Sequence, residues 1–93
     1  MTSASIPFTK QMLISVLGIS KSTLNRRTKY LMPNILKLQP NYNKASQILR
    51  KDIFILICDD FGWSRHDVLN RIKIVIPEYK DTDITIMEGI FGL

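Results

Sequence analysis

Apolar residues recur at three- and four-residue intervals near the start of the chain, a spacing typical of a short amphipathic helix. From Lys10 onward they are Met12, Leu13, Val16 and Leu17. Thr9 precedes this run and can act as its N-cap, whereas Gly18 follows it and can adopt the left-handed conformation that ends a helix. The pattern therefore predicts a first helix that ends at Gly18, after a flexible lead-in over residues 1–8.

A second helix is predicted over residues 20–32. Ser20 is a good N-cap, and Leu24, Thr28 and Leu31 mark an inward face at helical spacing. Pro33 is expected to stop this helix. The two helices would then be joined by a turn of about three residues.

The next segment predicts a small β-hairpin or wing over residues 34–44. The stretch NILKLQ at 34–39 is apolar enough for a short strand, and PNYN at 40–43 is rich in turn-forming residues.

The second half predicts supporting helices and a tail. Residues 46–62 have helical periodicity and a cap in Ser46, although the β-branched run at 53–58 would also suit a strand. A further helix should run from Trp63-Ser64 to about Val75. The tail at 78–93, with its alternating ITIM, is expected to add a strand or to pack against another protomer.

Two segments of the chain resemble each other at an offset of 44 residues. Residues 13–33 placed over 57–77 share five identities: Gly18 with Gly62, Ser20 with Ser64, Arg27 with Arg71, Lys29 with Lys73 and Pro33 with Pro77. The simpler interpretation is two ordinary helix pairs in one bundle. A true repeat would have exchanged basic surface for Asp59, Asp60 and Asp67, and would serve packing or a partner.

Charge divides the chain into two unlike halves. Residues 1–44 carry seven basic side chains and no acidic one, whereas residues 45–93 carry six basic and eight acidic ones. The net charge is therefore +7 in the first half and −2 in the second, which sum to +5. An acid-free basic half is suited to a polyanionic partner.

Length and cysteine content limit the class of protein further. Ninety-three residues suffice for one domain with one core, so residues 1–93 are expected to be a single unit. A lone cysteine, Cys58, allows no internal disulfide and indicates a reducing compartment. No signal peptide or membrane-length apolar run is present in this sequence, so a cytoplasmic, nucleoid-associated protein without a membrane partner is expected.

Residues 10–31, KQMLISVLGISKSTLNRRTKYL, resemble the helix-turn-helix of bacterial and phage DNA-binding proteins, whose recurring core is Leu-Gly-Ile/Val-Ser-x-x-Thr-Ile/Val/Leu-x-Arg. With MPNILKLQP, the resemblance is greatest to the winged-helix branch that contains MerR-type regulators and AlpA-like excisionases. It covers residues 10–40 and implies a mainly α-helical domain with a helix-turn-helix at 9–33 and a short wing at 34–44. Residues 45–93 carry no such resemblance, and their own pattern predicts supporting helices and a dimerisation tail.

The resemblance also implies the DNA-binding residues. The positions that the family directs toward DNA are Lys21, Ser22, Asn25, Arg26 and Lys29. Arg26 can pair with guanine and Asn25 with adenine, whereas Ser20, Thr23 and Lys29 are expected to contact phosphates. Lys10 completes the basic set, and Lys37 and Lys44 flank the predicted wing. Arg27 occupies an apolar position of the pattern, so its side chain should reach outward to backbone or to an acid of the second half.

The expected function is sequence-specific binding of double-stranded DNA by a small transcriptional regulator, such as a repressor of a phage or mobile element. A homodimer would supply two half-sites about 34 Å apart. Two alternatives stay open: an excisionase-like or replication accessory factor that bends DNA, and an adaptor that binds a protein through the second half. No enzyme, cofactor or metal site is predicted, since His66 and Cys58 lack an orienting third group.

Overall fold

The computed structural model describes residues 7–93, a mainly helical structure with a small antiparallel sheet. The elements of this part of the chain, in order, are β1 (Phe8–Thr9), α1 (Lys10–Leu17), α2 (Lys21–Tyr30), α3 (Met32–Leu38), β2 (Ile48–Leu49), α4 (Lys51–Asp60), α5 (Arg65–Val75) and α6 (Asp81–Ile90). Residues 1–6 of the expected lead-in lie outside the described residues.

The first helix and its caps are as predicted. The Thr9 hydroxyl accepts a hydrogen bond from the Met12 amide at 3.0 Å, which satisfies one free donor at the start of α1. Gly18 ends the helix with φ at +67°, a conformation that only glycine adopts without strain. Ser20 then caps α2 through the Thr23 amide at 3.1 Å.

The strand and wing predicted beyond α2 are wrong. The second helix ends at Tyr30, and residues 32–38 form α3. Pro33 lies in the first turn of α3, where its missing N–H is no loss because the first amides of a helix have no intrahelical acceptor. Ile35 is the buried residue of this helix, and residues 39–47 then form turns rather than the second strand of a hairpin.

The sheet joins the two halves of the chain. Phe8 pairs with Leu49 and Thr9 with Ile48, in antiparallel register. Because residues 48–49 are held in this strand, α4 begins at Lys51 rather than at the predicted residue 46, and Ser46 instead bonds the Ile48 amide at 3.2 Å. Residues 53–58 are helical, so the alternative strand there is wrong.

The C-terminal segment is a helix rather than an extended tail. The helix predicted to start at Trp63-Ser64 is α5, and Ser64 caps it by accepting from the Asp67 amide at 3.1 Å. In α6, Ile84, Met87 and Phe91 recur at spacings of three and four, and Met87 and Phe91 are fully buried. The four-residue alternation in ITIM is part of this longer helical period.

Residues from both halves build one hydrophobic core. Helix α1 packs against α4 and α5, and α4 also contacts α3. The Phe8 ring packs at a tilt against the rings of Phe54 and Phe91, with centroids 4.7 Å and 6.1 Å away. Within residues 7–93, none of the helices is long and apolar enough to cross a membrane.

Candidate nucleic-acid interface

Helix α2 exposes the polar side chains that the family pattern directs toward DNA. These exposed side chains are Lys21, Ser22, Asn25, Arg26 and Lys29. The opposite face is closed by Leu24 and Thr28, which are buried; the Thr28 hydroxyl donates to the Leu24 carbonyl at 2.8 Å. Core packing therefore fixes which side of α2 meets the solvent.

The start of α2 is held by a chain of side-chain hydrogen bonds. The Ser20 hydroxyl donates to the Thr23 hydroxyl oxygen at 2.9 Å, and Arg26 Nη2 donates to that same oxygen at 3.3 Å. Ser20 and Thr23 are thus engaged in capping and in orienting the Arg26 guanidinium. Arg26 is exposed, so the remaining donors of its guanidinium are available to form the fork that suits guanine or phosphate.

A basic groove runs along α2, between this helix, the start of α1 and the turns at 44–47. It consists of two adjoining clefts that share Lys10, Asn25, Lys44 and Ala45. Four lysines line it: Lys10, Lys21, Lys29 and Lys44. No acidic side chain of the described residues lines either cleft, so the groove is suited to an anionic ligand.

Lys10 lies at the centre of the basic groove. Its Nζ donates to the Lys44 carbonyl, which ties the turn at 44–45 to the start of α1. Partial burial, and then the charge of Lys21, lower the pKa of Lys10 from its ordinary value of 10.5. Lys10 and Lys21 repel each other, and no carboxylate of the described residues lines the groove to offset their charge. A bound phosphate would therefore stabilise the charged forms of both lysines.

Lys37 is separated from this groove. It is exposed on α3, whereas the prediction placed it beside a wing. The groove contains three residues outside the predicted set that have polar or basic groups, namely Gln11, Lys44 and Gln47. The Lys10 amide bonds the Gln47 carbonyl at 2.9 Å, an extension of the β1–β2 pairing. That long-range pairing and the Lys10–Lys44 bond bring the 44–47 segment to the groove, and the local sequence pattern carries no sign of either.

Arg27 ties α2 to the second half of the chain. Its Nη1 lies 3.1 Å from Asp60 Oδ2, and its guanidinium carbon lies 5.1 Å from the centroid of the Phe61 ring. The prediction that Arg27 reaches an acid of the second half is confirmed. Arg27 therefore fixes α2 in place while Arg26, its neighbour, faces the solvent.

Cys58 is a buried residue of the core. Burial, with a smaller contribution from the charge of Asp59, raises the pKa of the thiol from 9.0 to about 12. A thiol of this kind is a poor nucleophile at neutral pH because almost none of it is ionised. Cys58 therefore adds no reactive group to the candidate interface, which consists of α2 and its groove.

Comparisons of the chain with protein-family models, curated proteins and solved structures give no match. The geometry described above is therefore the basis for the functional proposal.

Proposed function

We propose that this protein binds double-stranded DNA in a sequence-specific manner, with α2 in the major groove, and acts as a small transcriptional regulator in the nucleoid. One observation carries the proposal: the exposed polar face of α2 borders a groove that is lined by four lysines and, within residues 7–93, by no acidic residue. An α-helix fits a major groove about 12 Å wide.

The residues divide into two roles. Arg26 and Asn25 carry the forked and paired donors and acceptors that distinguish guanine and adenine in the major groove. Lys10, Lys21 and Lys44 line the groove beside the helix, where phosphates of the DNA backbone would neutralise them. The first set reads sequence, and the second set positions the helix.

The test is fluorescence anisotropy of a labelled random-sequence duplex, titrated with the protein from about 50 to 200 mM salt. We expect log K to fall linearly with log salt, with a slope of about 0.9 per phosphate contacted. The double variant Lys21→Gln/Lys29→Gln should reduce that slope by nearly the amount expected for two phosphate contacts. Lys51→Gln is the matched control, because Lys51 is an exposed lysine on α4, outside the groove.

Absence of binding by the wild-type chain at low salt would overturn the proposal. The proposal would also be contradicted if Lys51→Gln lowered DNA affinity as much as replacement of Lys21 or Lys29. Binding would then reflect overall charge rather than this surface.

A further inference from the structure

The second half of the chain repeats the architecture of the first. Each half has a two-residue strand followed by three helices. The turns between the first two helices of each half match in detail: Gly18 and Gly62 have φ of +67° and +83°. The Ile19 amide bonds the Ile14 carbonyl at 3.3 Å, and the equivalent Trp63 amide bonds the Cys58 carbonyl at 3.1 Å. An offset of 44 residues relates these turn residues, whereas the strands of the two halves lie 40 residues apart.

The second helices of the two halves also match. Ser20 and Ser64 cap α2 and α5 through the third amide beyond them, both at 3.1 Å. Two buried positions agree, with Leu24 equivalent to Val68 and Thr28 to Ile72, whereas the equivalent of the exposed Asn25 is the buried Leu69. The outer flanks carry equivalent shallow grooves: Thr23, Arg26, Arg27 and Tyr30 on α2, and Asp67, Asn70, Arg71 and Ile74 on α5.

Two arginines connect the halves reciprocally. Arg27 of α2 contacts Asp60 at the end of α4, and its equivalent, Arg71 of α5, donates from Nε to the Val16 carbonyl at 3.3 Å, near the end of α1. Val16 is itself the equivalent of Asp60. If residue i of one copy contacts residue j of the other, and j contacts i in return, the copies are related by a two-fold axis. The antiparallel pairing of β1 with β2 is also reciprocal, but at an offset of 40 residues rather than 44, since Phe8 pairs with Leu49 and Thr9 with Ile48.

From this two-fold relation we propose that the outer face of α5 is a second DNA-contacting surface, made by His66, Asn70 and Lys73. These residues are exposed and are the equivalents of Ser22, Arg26 and Lys29 on α2. Asn70 can form a bidentate pair with adenine, and Lys73 can contact a phosphate. The His66 imidazole can donate to a phosphate or base acceptor.

The acidic residues that precede α5 are already paired. Asp60 is bound to Arg27, and Asp59 Oδ2 lies 4.0 Å from Arg65 Nη2. Helix α5 itself carries three basic residues and one acidic residue, Asp67, for a net charge of +2. The negative balance of the second half therefore arises outside α5; because Arg65 offsets Asp59, the helix keeps a charge of +1 (+2 minus 1) toward a DNA surface.

A single chain would then carry both DNA-contacting helices, so the second half-site expected from a partner protomer would be read by the same chain. This inference rests on the proposed function of α2. It adds a surface on α5 and a stoichiometry of one chain for each DNA site.

The experiment uses a duplex selected from a random pool by the wild-type protein. Hydroxyl-radical footprints and salt-dependent affinities are compared for Asn70→Ala/Lys73→Ala, for Arg26→Ala/Lys29→Ala at the equivalent α2 positions, and for Lys51→Ala as the control. Lys73→Gln alone serves as a second variant, and circular dichroism verifies that each chain is folded.

We expect two protected segments with the wild-type chain, bound one chain to one duplex. The α5 variant should lose one segment and the α2 variant the other, and Lys73→Gln should lower the salt slope by about 0.9. If the α2 variant loses binding while the α5 variant and Lys73→Gln match Lys51→Ala, the inference on α5 is overturned and the function of α2 stands. The inference on α5 would also be overturned if the α5 variants changed self-association or protein binding without changing DNA binding. If the wild-type chain selects no DNA, both proposals fail.

Discussion

Arg27 Nη1 lies 3.1 Å from Asp60 Oδ2, so one ion pair joins the proposed DNA-contacting helix to the last residue of α4. The side chains are 41% and 22% exposed, which means that solvent screens part of their attraction. Stacking of the guanidinium on Phe61 adds a contact that salt screens less. Together these contacts hold α2 against the second half of the molecule.

This relationship predicts a measurable coupling between the two residues. Arg27→Ala and Asp60→Ala should each lower the free energy of unfolding, and a double-mutant cycle should give a coupling energy of about 0.5–1 kcal/mol. The coupling should shrink in high salt, whereas the loss caused by Phe61→Ala should not. Urea denaturation measures all of these quantities, and additive single effects would contradict the pair.

Local signals for helix ends could be read from the sequence. Thr9 and Ser20 act as the predicted N-caps, because a short side-chain oxygen before an amphipathic run meets a free amide at the helix start. Ser64 caps α5 in the same way, whereas the predicted cap Ser46 does not cap α4. Gly18 ends α1 for an equally local reason. The outward reach of Arg27 was also predictable, since a guanidinium at an apolar position must find a partner.

Features that depend on distant contacts could not be predicted. Residues 48–49 are a strand only because Phe8 and Thr9 pair with them, and this pairing delays the start of α4. Residues 84–87 alternate like a strand. Met87 and Phe91, four residues apart, are nevertheless both buried in the core, which requires a helix. Pro33 was interpreted as a stop signal, although a proline is equally compatible with the first turn of the next helix.

The candidate interface was predictable only where local periodicity determines it. Arg26 and Lys29 follow from the periodicity of one helix, because Leu24 and Thr28 define its buried side. Lys44 and Gln47 reach the groove through the turns that lead into β2, which no local pattern specifies.

Gly18 should tolerate a side chain poorly because of its backbone rather than its surroundings. A Cβ added there would meet no atom within 4 Å, but φ is +67°. Gly18→Ala should therefore cost about 1–2 kcal/mol of unfolding free energy. Gly89→Ala is the matched control: it is also unobstructed, but it lies within α6 at an ordinary φ, and should stabilise the protein by about 0.5 kcal/mol. Urea denaturation compares them, and equal effects would show that φ at Gly18 is not the cause.

The buried thiol of Cys58 gives a prediction on pH. Its pKa of about 12, in place of 9.0, lowers the thiolate fraction at pH 8 by about 1,000-fold, so a disulfide reagent should react only as the protein unfolds. Because the folded-state pKa is the higher one, the unfolded chain loses this proton first. The stabilising contribution of the neutral thiol is complete below pH 9 and is lost as the pH rises toward 12. Cys58→Ala should lack this part of the pH dependence, and rapid labelling of the folded wild type would contradict the prediction.

Arg26 and Lys29, on the exposed face of α2, should differ in what they contribute to DNA binding. Arg26→Ala removes a forked donor, so it should weaken binding to the selected duplex by about 1–3 kcal/mol and relax the preference at one base position. Lys29→Ala removes a point charge, so it should weaken binding to all duplexes alike and lower the salt slope by about one contact. Both side chains are exposed, so neither variant should change the unfolding free energy by more than about 0.5 kcal/mol. Anisotropy titrations with the selected and a scrambled duplex separate the two effects. If both variants weakened the two duplexes equally, Arg26 would contact the backbone alone and sequence would be read elsewhere.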